Sequence, residues 1–233
     1  MILRKWEELP EQLRTDAVRP YYDSLEKKKV SLVLKRLFDI VVSSIMLVIL
    51  WPVFLLLAVA IKLDSPGPVF YRQVRVTQYG QEFRIFKFRS MVSNADKVGA
   101  QVTVSGDSRV TRVGRIIRNC RLDELGQLID VLRGTMTFVG TRPEVPKYVA
   151  EYTPEMMATL LLPAGITSLT SIMYKDESVL LDGASDVDKI YIESVLPGKM
   201  YYNLKSVMDF SFWGDIKLMF MTVFAILGKE YTE

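Results

Sequence analysis

Histidine is absent from this chain of 233 residues, and cysteine occurs once, at Cys120. Without histidine the chain lacks the commonest general base and the commonest metal ligand, so zinc-dependent hydrolysis and Ser-His-Asp chemistry are excluded. A single cysteine rules out an internal disulfide and favours a reducing compartment. Any catalysis must therefore use carboxylates, lysine, tyrosine or a hard cation held by oxygen ligands.

The chain also lacks a large net charge of either sign. The chain carries 30 Lys and Arg against 27 Asp and Glu, which gives a net charge of +3. This mild excess suits anionic lipids or phosphates and predicts no nucleic-acid partner. Mean hydropathy is nevertheless positive, at +0.17. We therefore expect the apolar residues to be concentrated in one part of the chain.

Residues 40–61 form that apolar part, an uncharged run of 22 residues. As a helix it is long enough to cross a hydrocarbon core about 30 Å thick. Pro52 lies near its middle and predicts a kink. Basic residues flank both ends, for example Arg36 and Lys62, so the positive-inside rule finds little asymmetry. Two readings stay open: a kinked transmembrane helix, or a helix that bends and returns to the same face. The late start and the length of the run argue against a cleaved signal peptide.

Short elements are predicted for the chain around this run. Residues 1–33 are polar and read as short helical pieces that lead to a basic collar at Lys27–Lys29. VFYRQVRV and EFRIFKFRSM predict two strands joined by a turn at Tyr79-Gly80. VTRVGRIIRNC and DELGQLIDVLRG predict two short helices, and MTFVGTRPE predicts a strand that ends in a turn. Residues 91–108 are predicted to be loop.

Helices dominate the C-terminal part. EVPKYVAEYTPEMMATLLL is predicted to be helical, and DKIYIESVLPGKMYYNLKSVMDF predicts a helix, a turn and a second helix. The final apolar helix begins with Phe210, Phe212 and Trp213, a ring-rich start that suits either a membrane interface or a core helix. The predicted fold class is α+β, mainly helical with a small sheet.

Charged residues cluster in the middle of the sequence. Five arginines recur at every third position from Arg109 to Arg121 and lead into Asp123 and Glu124. Such spacing is typical of a solvated helix face, but guanidinium groups also suit phosphate oxygens. The acidic pair also has two readings. Asp is favoured at helix N-caps and Glu in the first turn, whereas two carboxylates can also hold Mg²⁺ beside a phosphate.

Two other stretches carry basic side chains. In FKFRSM, strand alternation places Lys87 and Arg89 on one face, which is either solvated or turned toward a ligand. In VGTRPE, Arg142 follows a predicted strand, and Pro143 favours extended backbone at Arg142. Loops at strand ends often carry functional sites. Cys120 is expected to be structural.

The motifs KRLFD, SPGPVFYRQ, FKFRSM, LDEL, GTRPE and GIT, in this order and spacing, resemble those of the bacterial sugar transferases, the monotopic phosphoglycosyltransferases. The resemblance runs from about Lys35 to Leu227, and LDEL and RPE are its most specific parts. The chain departs from the family pattern at Gly126 and Thr141, where proline is usual, and at Thr135, where an acid is usual. The membrane proline is often preceded by serine in the family, but here Trp51 precedes Pro52.

The resemblance implies an enzyme that moves a phosphosugar from a UDP-sugar to polyprenyl phosphate and releases UMP. The expected place is the cytoplasmic face of the bacterial inner membrane, where this is the first membrane step of glycoconjugate synthesis. Mg²⁺ is the implied cofactor, with Asp123 and Glu124 as catalytic dyad and metal ligands. The implied substrate-binding residues are Lys87, Arg89, Arg118 and Arg142.

The resemblance also implies a domain organisation for the chain after residues 1–33, which lie outside the family core. A polar extension over residues 1–33 precedes a re-entrant, monotopic membrane helix over residues 34–64, broken at Pro52. Residues 65–233 form the catalytic domain, which ends in an interfacial helix. The basic residues 27–36 and this last helix are expected to help dock the domain on anionic lipid.

Within this resemblance a nucleophilic Asp123 is better motivated than a general base, because the acceptor phosphate is already ionised at neutral pH. The mechanism is then ping-pong, through an aspartyl phosphosugar, with Glu124 helping to hold the metal. The rival reading is a non-enzymatic membrane scaffold for polysaccharide assembly, which does not account for the acidic pair or for GTRPE. The identity of the sugar, the pathway and a homodimer are left open.

Overall fold

The computed structural model describes residues 3–93, 95, 107–174 and 187–226. As predicted, the fold is α+β and mostly helical, with one long apolar helix near the N-terminus. The α-helices are α1 Arg19–Glu26, α2 Lys29–Asp64, α3 Arg112–Asn119, α4 Gln127–Arg133, α5 Pro146–Val149, α6 Leu169–Met173, α7 Val187–Ile190, α8 Leu196–Met208 and α9 Phe212–Ile226. The strands are β1 Phe70–Tyr71, β2 Val74–Val76, β3 Glu82–Arg84, β4 Lys87–Phe88, β5 Met136–Val139 and β6 Ala164–Thr167. Most of the loop predicted over residues 91–108 lies outside the described residues.

The strands form three separate pairs within the described residues, rather than the single small sheet that was expected. β1 pairs with β4 and β2 pairs with β3, both antiparallel. The predicted hairpin is thus confirmed, but each of its strands is divided in two. Its turn contains Tyr79 and Gly80 with φ of 60° and 77°, a left-handed conformation that glycine adopts without strain. β5 and β6 are parallel.

Helix α2 packs along the rest of the described fold with one face and leaves the other exposed. Phe38 and Met46 contact a core cluster built on α4 and β5. Beyond Pro52, Leu57 and Ile61 contact a second cluster built on β4 and α3. The helix is long and apolar enough to cross a membrane, and 11% of its most apolar 18-residue stretch is buried. It is therefore unlike the mostly buried core helix of a soluble protein, and an exposed apolar face of this size is typical of a membrane or protein contact.

Buried charged residues connect the first arm of α2, the part before Pro52, to β5 and α9. Lys35 Nζ donates to the carbonyl of Val139 at 2.6 Å and to Asp215 Oδ2 at 2.5 Å. The Asp39 carboxylate, on a residue that is 1% exposed, accepts from Thr137 Oγ1 at 2.7 Å and from the backbone N–H of Phe138 at 3.2 Å. Such contacts fix the position of the helix, because a buried charge without its partners is costly.

The expectation that residues 27–36 form a lipid-facing basic collar is therefore wrong for several of its members. Lys35 is buried in its pair with Asp215. Arg36 donates to the carbonyls of the last turn of α4, and Lys28 Nζ donates to the carbonyl of Met208 at 3.0 Å. These cations neutralise helix C-termini of the protein itself, which is where a helix dipole favours positive charge.

Arg89 binds the C-terminal end of the second arm of α2, the part after Pro52. Its guanidinium donates to the carbonyls of Ser65 and Pro66, each at 2.6 Å, and to that of Ile61 at 3.4 Å. Asp64 Oδ2 accepts from the N–H of Val113 at 3.0 Å. The helix end is thus tied to β4 and α3, the elements that carry two of the predicted site residues.

The N-terminal segment, residues 3–28, belongs to the core. It forms the predicted short helical pieces, which are two 3₁₀ turns and α1. Leu13, Val18 and Leu25 are fully buried against the 3₁₀ turn Met156–Leu161 and against α8. Ser24 Oγ donates to the carbonyl of Met208 at 2.9 Å. The segment thereby holds the C-terminal end of α8.

The C-terminal part differs from prediction in two places. The helix predicted over residues 144–162 is only the one-turn α5 and the 3₁₀ segment Met156–Leu161, with a turn between them. The turn expected at Leu196-Pro197-Gly198 is wrong, since a π-helical turn, Tyr191–Val195, runs directly into α8. Pro197 lies in the first turn of α8, directly after this π-helical turn, and the helical stretch continues through it. Helix α9 packs on α2 through the edge-on rings of Phe212 and Phe38, 6.0 Å apart. Trp213 and Phe220 are 77% and 63% exposed, which favours the interfacial reading of this helix.

Candidate active site

The acidic pair lies in a 3₁₀ turn, Leu122–Gly126, between α3 and α4. Arg121 precedes it in the left-handed region, with φ of 53°. Neither this turn nor α4 is capped by a side chain. The reading of Asp123 as a helix cap is therefore wrong. Both carboxylates occupy the first turn, where the backbone dipoles still favour negative charge.

Glu124 is held by two cations from distant parts of the chain. Arg142 binds it through both terminal nitrogens, and Lys87 Nζ lies 3.3 Å from Oε1. Burial opposes ionisation of this carboxyl, but the charges of Arg142 and Lys87 outweigh it and hold its pKa well below the usual range. Glu124 is thus a carboxylate throughout the physiological pH range, and its negative charge is already shared by two partners.

Asp123 has a different environment from its neighbour. Burial raises its pKa, the charge of Lys87 lowers it, the negative charge of Glu124 raises it, and the charge of Arg118 lowers it; the pKa is raised on balance. The pair therefore holds one carboxylate that is firmly ionised and one whose ionisation depends on nearby charge. Two titratable groups with diverging pKa values are typical of functional sites.

Three of the four predicted basic residues meet at this pair. Lys87 comes from β4 and Arg142 from the loop after β5. Arg118, in the last turn of α3, donates from Nε to Ser90 Oγ at 2.9 Å and lies close enough to affect the pKa of Asp123. Converging cations around carboxylates suit a phosphorylated ligand, because guanidinium and ammonium groups bind phosphate oxygens.

Arg89 does not join this cluster. It is 5% exposed and its terminal nitrogens are bound to backbone carbonyls at the end of α2. Strand alternation predicted the same face for Lys87 and Arg89, but β4 ends at Phe88. The phosphate-binding role predicted for Arg89 thus finds no support in its position. In the arginine stripe, Arg112 and Arg115 are exposed on α3, as expected for a solvated helix face.

The loop that carries Arg142 is supported by residues that sequence reasoning missed. Arg75 Nη1, on β2, donates to the carbonyl of Pro143 at 3.0 Å. Glu144 is buried and accepts from Tyr191 OH at 2.5 Å and from Lys199 Nζ at 3.2 Å. Burial lowers the pKa of Arg75, and Glu144 raises it. The sequence did contain a signal for Arg75. It lies between two valines of a predicted strand, so strand alternation places its side chain on the face opposite to theirs.

The donor set agrees with a metal ion that is shared with a substrate. Among the described residues no group of three or more acidic, cysteine or histidine ligands comes together. Asp123 and Glu124 nevertheless offer two adjacent carboxylates. Mg²⁺ is usually bound through one or two carboxylates, with water and substrate phosphates filling the other positions. The residues would therefore fit Mg²⁺ only together with a phosphorylated substrate, and chiefly through Asp123, because Arg142 and Lys87 already engage both oxygens of Glu124.

The described fold thus places two carboxylates and a group of cations on a domain that packs along a long apolar helix. The sequence model of the bacterial sugar transferase family matches residues 30–229, and the chain belongs to this family.

Curated relatives are similar over most of the chain. A UDP-N-acetylgalactosamine-undecaprenyl-phosphate N-acetylgalactosaminephosphotransferase of Aeromonas hydrophila is 37% identical over 83% of this chain and 44% of its own length. A UDP-glucose:undecaprenyl-phosphate glucose-1-phosphate transferase of Klebsiella pneumoniae is 36% identical over 92% and 44%. An enzyme with that same name from Caulobacter vibrioides is 35% identical over 84% and 70%. This chain thus spans less than half the length of the first two.

Proposed function

We propose that this chain transfers a phosphosugar from a UDP-sugar to undecaprenyl phosphate and releases UMP. The observation that carries the proposal is the convergence of Lys87, Arg118 and Arg142 on the Asp123-Glu124 pair. The relatives act on different sugars, so the proposal fixes the reaction and leaves the sugar to a screen of UDP-sugars. The reaction would be the first membrane step in the synthesis of a glycoconjugate.

Asp123 is the nucleophile in this proposal. Its carboxylate oxygen attacks the sugar-bearing phosphorus of the UDP-sugar, and the bond between that phosphorus and the bridging oxygen breaks. The electron pair leaves with UMP, and an aspartyl phosphosugar remains. A carboxylate is nucleophilic without help from a general base, which agrees with the absence of histidine from the sequence.

Undecaprenyl phosphate completes the reaction. One of its phosphate oxygens attacks the same phosphorus, the bond to Asp123 breaks, and the carboxylate is regenerated. A phosphate monoester has a second pKa of about 6 and is largely dianionic at neutral pH, so this step needs no strong base. Because a single carboxylate receives and returns the phosphosugar, the kinetics are ping-pong.

The cations stabilise the phosphoryl charge that spreads in both steps. Glu124 keeps Arg142 and Lys87 beside Asp123 through the contacts described above. Asp123 and Glu124 would also hold Mg²⁺, which when bound neutralises part of the diphosphate charge.

We further infer that α2 is re-entrant and the protein monotopic on the cytoplasmic face of the inner membrane. Both arms of α2, before and after Pro52, pack on the same domain. A helix that crossed the bilayer would carry one end away from that domain. The acceptor phosphate lies at the interface while its tail lies in lipid, so a site at the membrane surface suits it.

The direct test uses purified protein with a UDP-sugar and Mg²⁺ but without acceptor. Intact-protein mass spectrometry should show a phosphosugar adduct, with UMP released in equal amount. In Asp123→Asn the adduct should vanish and turnover should fall at least about 10³-fold. Asp23→Asn, which removes an exposed carboxylate on α1, is the matched control and should keep full activity.

Two outcomes would contradict the proposal. Full activity of Asp123→Asn would remove the nucleophile, and release of UDP instead of UMP would indicate an ordinary glycosyl transfer. If folded protein released no nucleotide from any UDP-sugar in the screen, the scaffold reading would be favoured.

A further inference from the structure

A cavity of about 180 Å³ lies at the carboxyl ends of the parallel strands β5 and β6, apart from the acidic pair and its cations. Gly140 and Thr141, which follow β5, form one wall, and Ser168, which follows β6, forms another. Ligands of α/β proteins commonly bind at this edge of parallel strands. The cavity is mostly apolar, and one that holds benzene measures about 150 Å³. It therefore has room for a five- or six-carbon group.

The cavity lies between the end of β5, just before Arg142, and the first turns of α9. Thr141 in its wall is bonded through the chain to Arg142, whose guanidinium holds Glu124. The opposite wall is formed by the first turns of α9, including Leu218. The neighbouring face of α9 exposes Trp213 and Phe220, the surface that we assign to the lipid interface. A ligand in this cavity would thus have one end near the site and the other near lipid.

The charge of the cavity argues against a phosphate inside it. Its lining contains two carboxylates, Asp209 and Asp215, and one ammonium group, Lys205. Asp215 is further neutralised by Lys35. The excess of cations lies instead at Lys87, Arg118 and Arg142. A substrate that reaches both places would leave its phosphate at those cations and place an uncharged part in the cavity.

We propose that this cavity binds the phosphate-proximal isoprene unit of the lipid acceptor. The inference rests on the proposed function and deepens it. The mostly apolar lining and the continuity with α9 favour the hydrocarbon over the other uncharged parts of the substrates, the sugar and the uridine. The acceptor would then enter along α9, with its first isoprene unit seated and its phosphate directed toward Asp123.

The two half-reactions separate this assignment from its rivals. Ser206→Leu, on the α8 wall of the cavity, fills part of the space. We expect the KM for undecaprenyl phosphate to rise at least about tenfold, as for a lost hydrophobic subsite. The UMP burst without acceptor should keep its rate. A slowed burst with an unchanged acceptor KM would overturn the proposal and assign the cavity to the sugar or the nucleoside. Ala150→Leu, an exposed small-to-large change outside the cavity, is the matched control.

A second measurement uses the unchanged protein, so it does not depend on the folding of a variant. A polyprenyl phosphate with a photoreactive diazirine on its first isoprene unit is irradiated with the protein in nanodiscs. Crosslinks are expected on the tryptic peptide 206–217 and on the peptide that follows it. Crosslinks confined to α2 would overturn the proposal. If the protein crosslinks as expected but releases no UMP from any UDP-sugar, the proposed function fails while the lipid site stands.

Discussion

At the scale of single residues, the site depends on how charge is shared between neighbours. Glu124 has two cationic partners that approach from 18 and 37 positions away in the sequence. Asp123 shares the same surroundings, yet its pKa is raised on balance while that of Glu124 is lowered. Adjacent carboxylates thus acquire different ionisation behaviour from their surroundings, and the proposed mechanism uses one as a fixed counter-charge and the other as the reactive group.

Replacing Glu124 tests this division. In Glu124→Gln, Arg142 and Lys87 lose their shared counter-charge, and we expect turnover to fall about 10²–10³-fold, as when one preorganised electrostatic group is removed. The free energy of unfolding should decrease by about 1–3 kcal/mol, because two partly buried cations are left unpaired. UMP release and thermal unfolding measure the two effects. Glu26→Gln, which breaks an exposed pair with Lys29, is the control, and an equal loss there would refute the assignment.

Arg89 offers a test between a structural and a substrate-binding role. In Arg89→Lys a single ammonium group replaces a fork that reaches three carbonyls, and we expect a loss of stability of about 2–4 kcal/mol. The KM for the UDP-sugar should change less than about threefold, since the side chain does not face the acidic pair.

Thermal unfolding and initial-rate kinetics on the same preparation decide this point. Arg84→Lys, an exposed change on β3, is the comparison. If Arg89→Lys raised that KM strongly while unfolding as the wild type does, the original phosphate-binding prediction would be restored.

At the scale of elements, α4 positions the strand that carries Lys87. Asp130, which is 2% exposed, accepts from the N–H of Phe86 at 2.8 Å. Burial raises the pKa of Asp130 to about 6, although this hydrogen bond and Arg72 lower it. In the unfolded chain an aspartate titrates near 3.9. The folded protein therefore binds this proton more tightly, and the associated stability is lost as pH rises from about 4 through about 6.

Asp130→Asn should remove this dependence. Relative to the wild type, the variant should gain stability as pH rises from about 4.5 and reach a plateau above about 7, with a total change of up to about 3 kcal/mol. Thermal unfolding at four pH values in one detergent measures the difference. The exposed change Asp23→Asn should show no such trend, and a trend of the same size in both variants would contradict the role of Asp130.

Elements were predicted well where the signal is local. Apolar periodicity indicated α3 and α4, and the hairpin turn at Tyr79-Gly80 followed from alternating strands around it. Predictions were wrong where tertiary packing overrode a local sequence rule. Pro197 and Gly198 read as a break, but packing continues the helix through them. Strand alternation did not place Arg89 on the face of Lys87, because β4 ends at Phe88, one residue before Arg89.

At the scale of the whole molecule, sequence order indicated most of the site but could not show how it is supported. The motifs predicted Arg142 and Glu124 as members of one site but not their ion pair, and the Arg75–Pro143 and Glu144–Lys199 contacts likewise join segments far apart in the chain. No periodicity encodes such contacts. The same holds for Lys35 and Arg36, which read as lipid-facing charges and prove to be ligands of backbone carbonyls and of Asp215.

The topology of α2 can be tested on the intact chain. In a Cys120→Ser background, single cysteines replace Lys27 or Lys62, which are exposed near the two ends of α2. A membrane-impermeant maleimide should label both from the cytoplasmic side in inverted vesicles and neither in intact spheroplasts. Trp51→Cys, beside Pro52, should be protected in both. Labelling of Lys27→Cys and Lys62→Cys from opposite sides would establish a transmembrane helix and reject the re-entrant one.

The packing of residues 3–28 shows that the folding unit extends beyond the stretch that the family model matches. The family match begins at residue 30, yet Leu13, Val18 and Leu25 are fully buried against the elements that follow. A fragment that begins at the family boundary would therefore expose an apolar surface on α8 that residues 3–28 cover in this chain. Chimeras that exchange the shared module between relatives must therefore include a segment that packs on that surface. For this chain, the useful boundary for grafting is set by packing and lies before the first family motif.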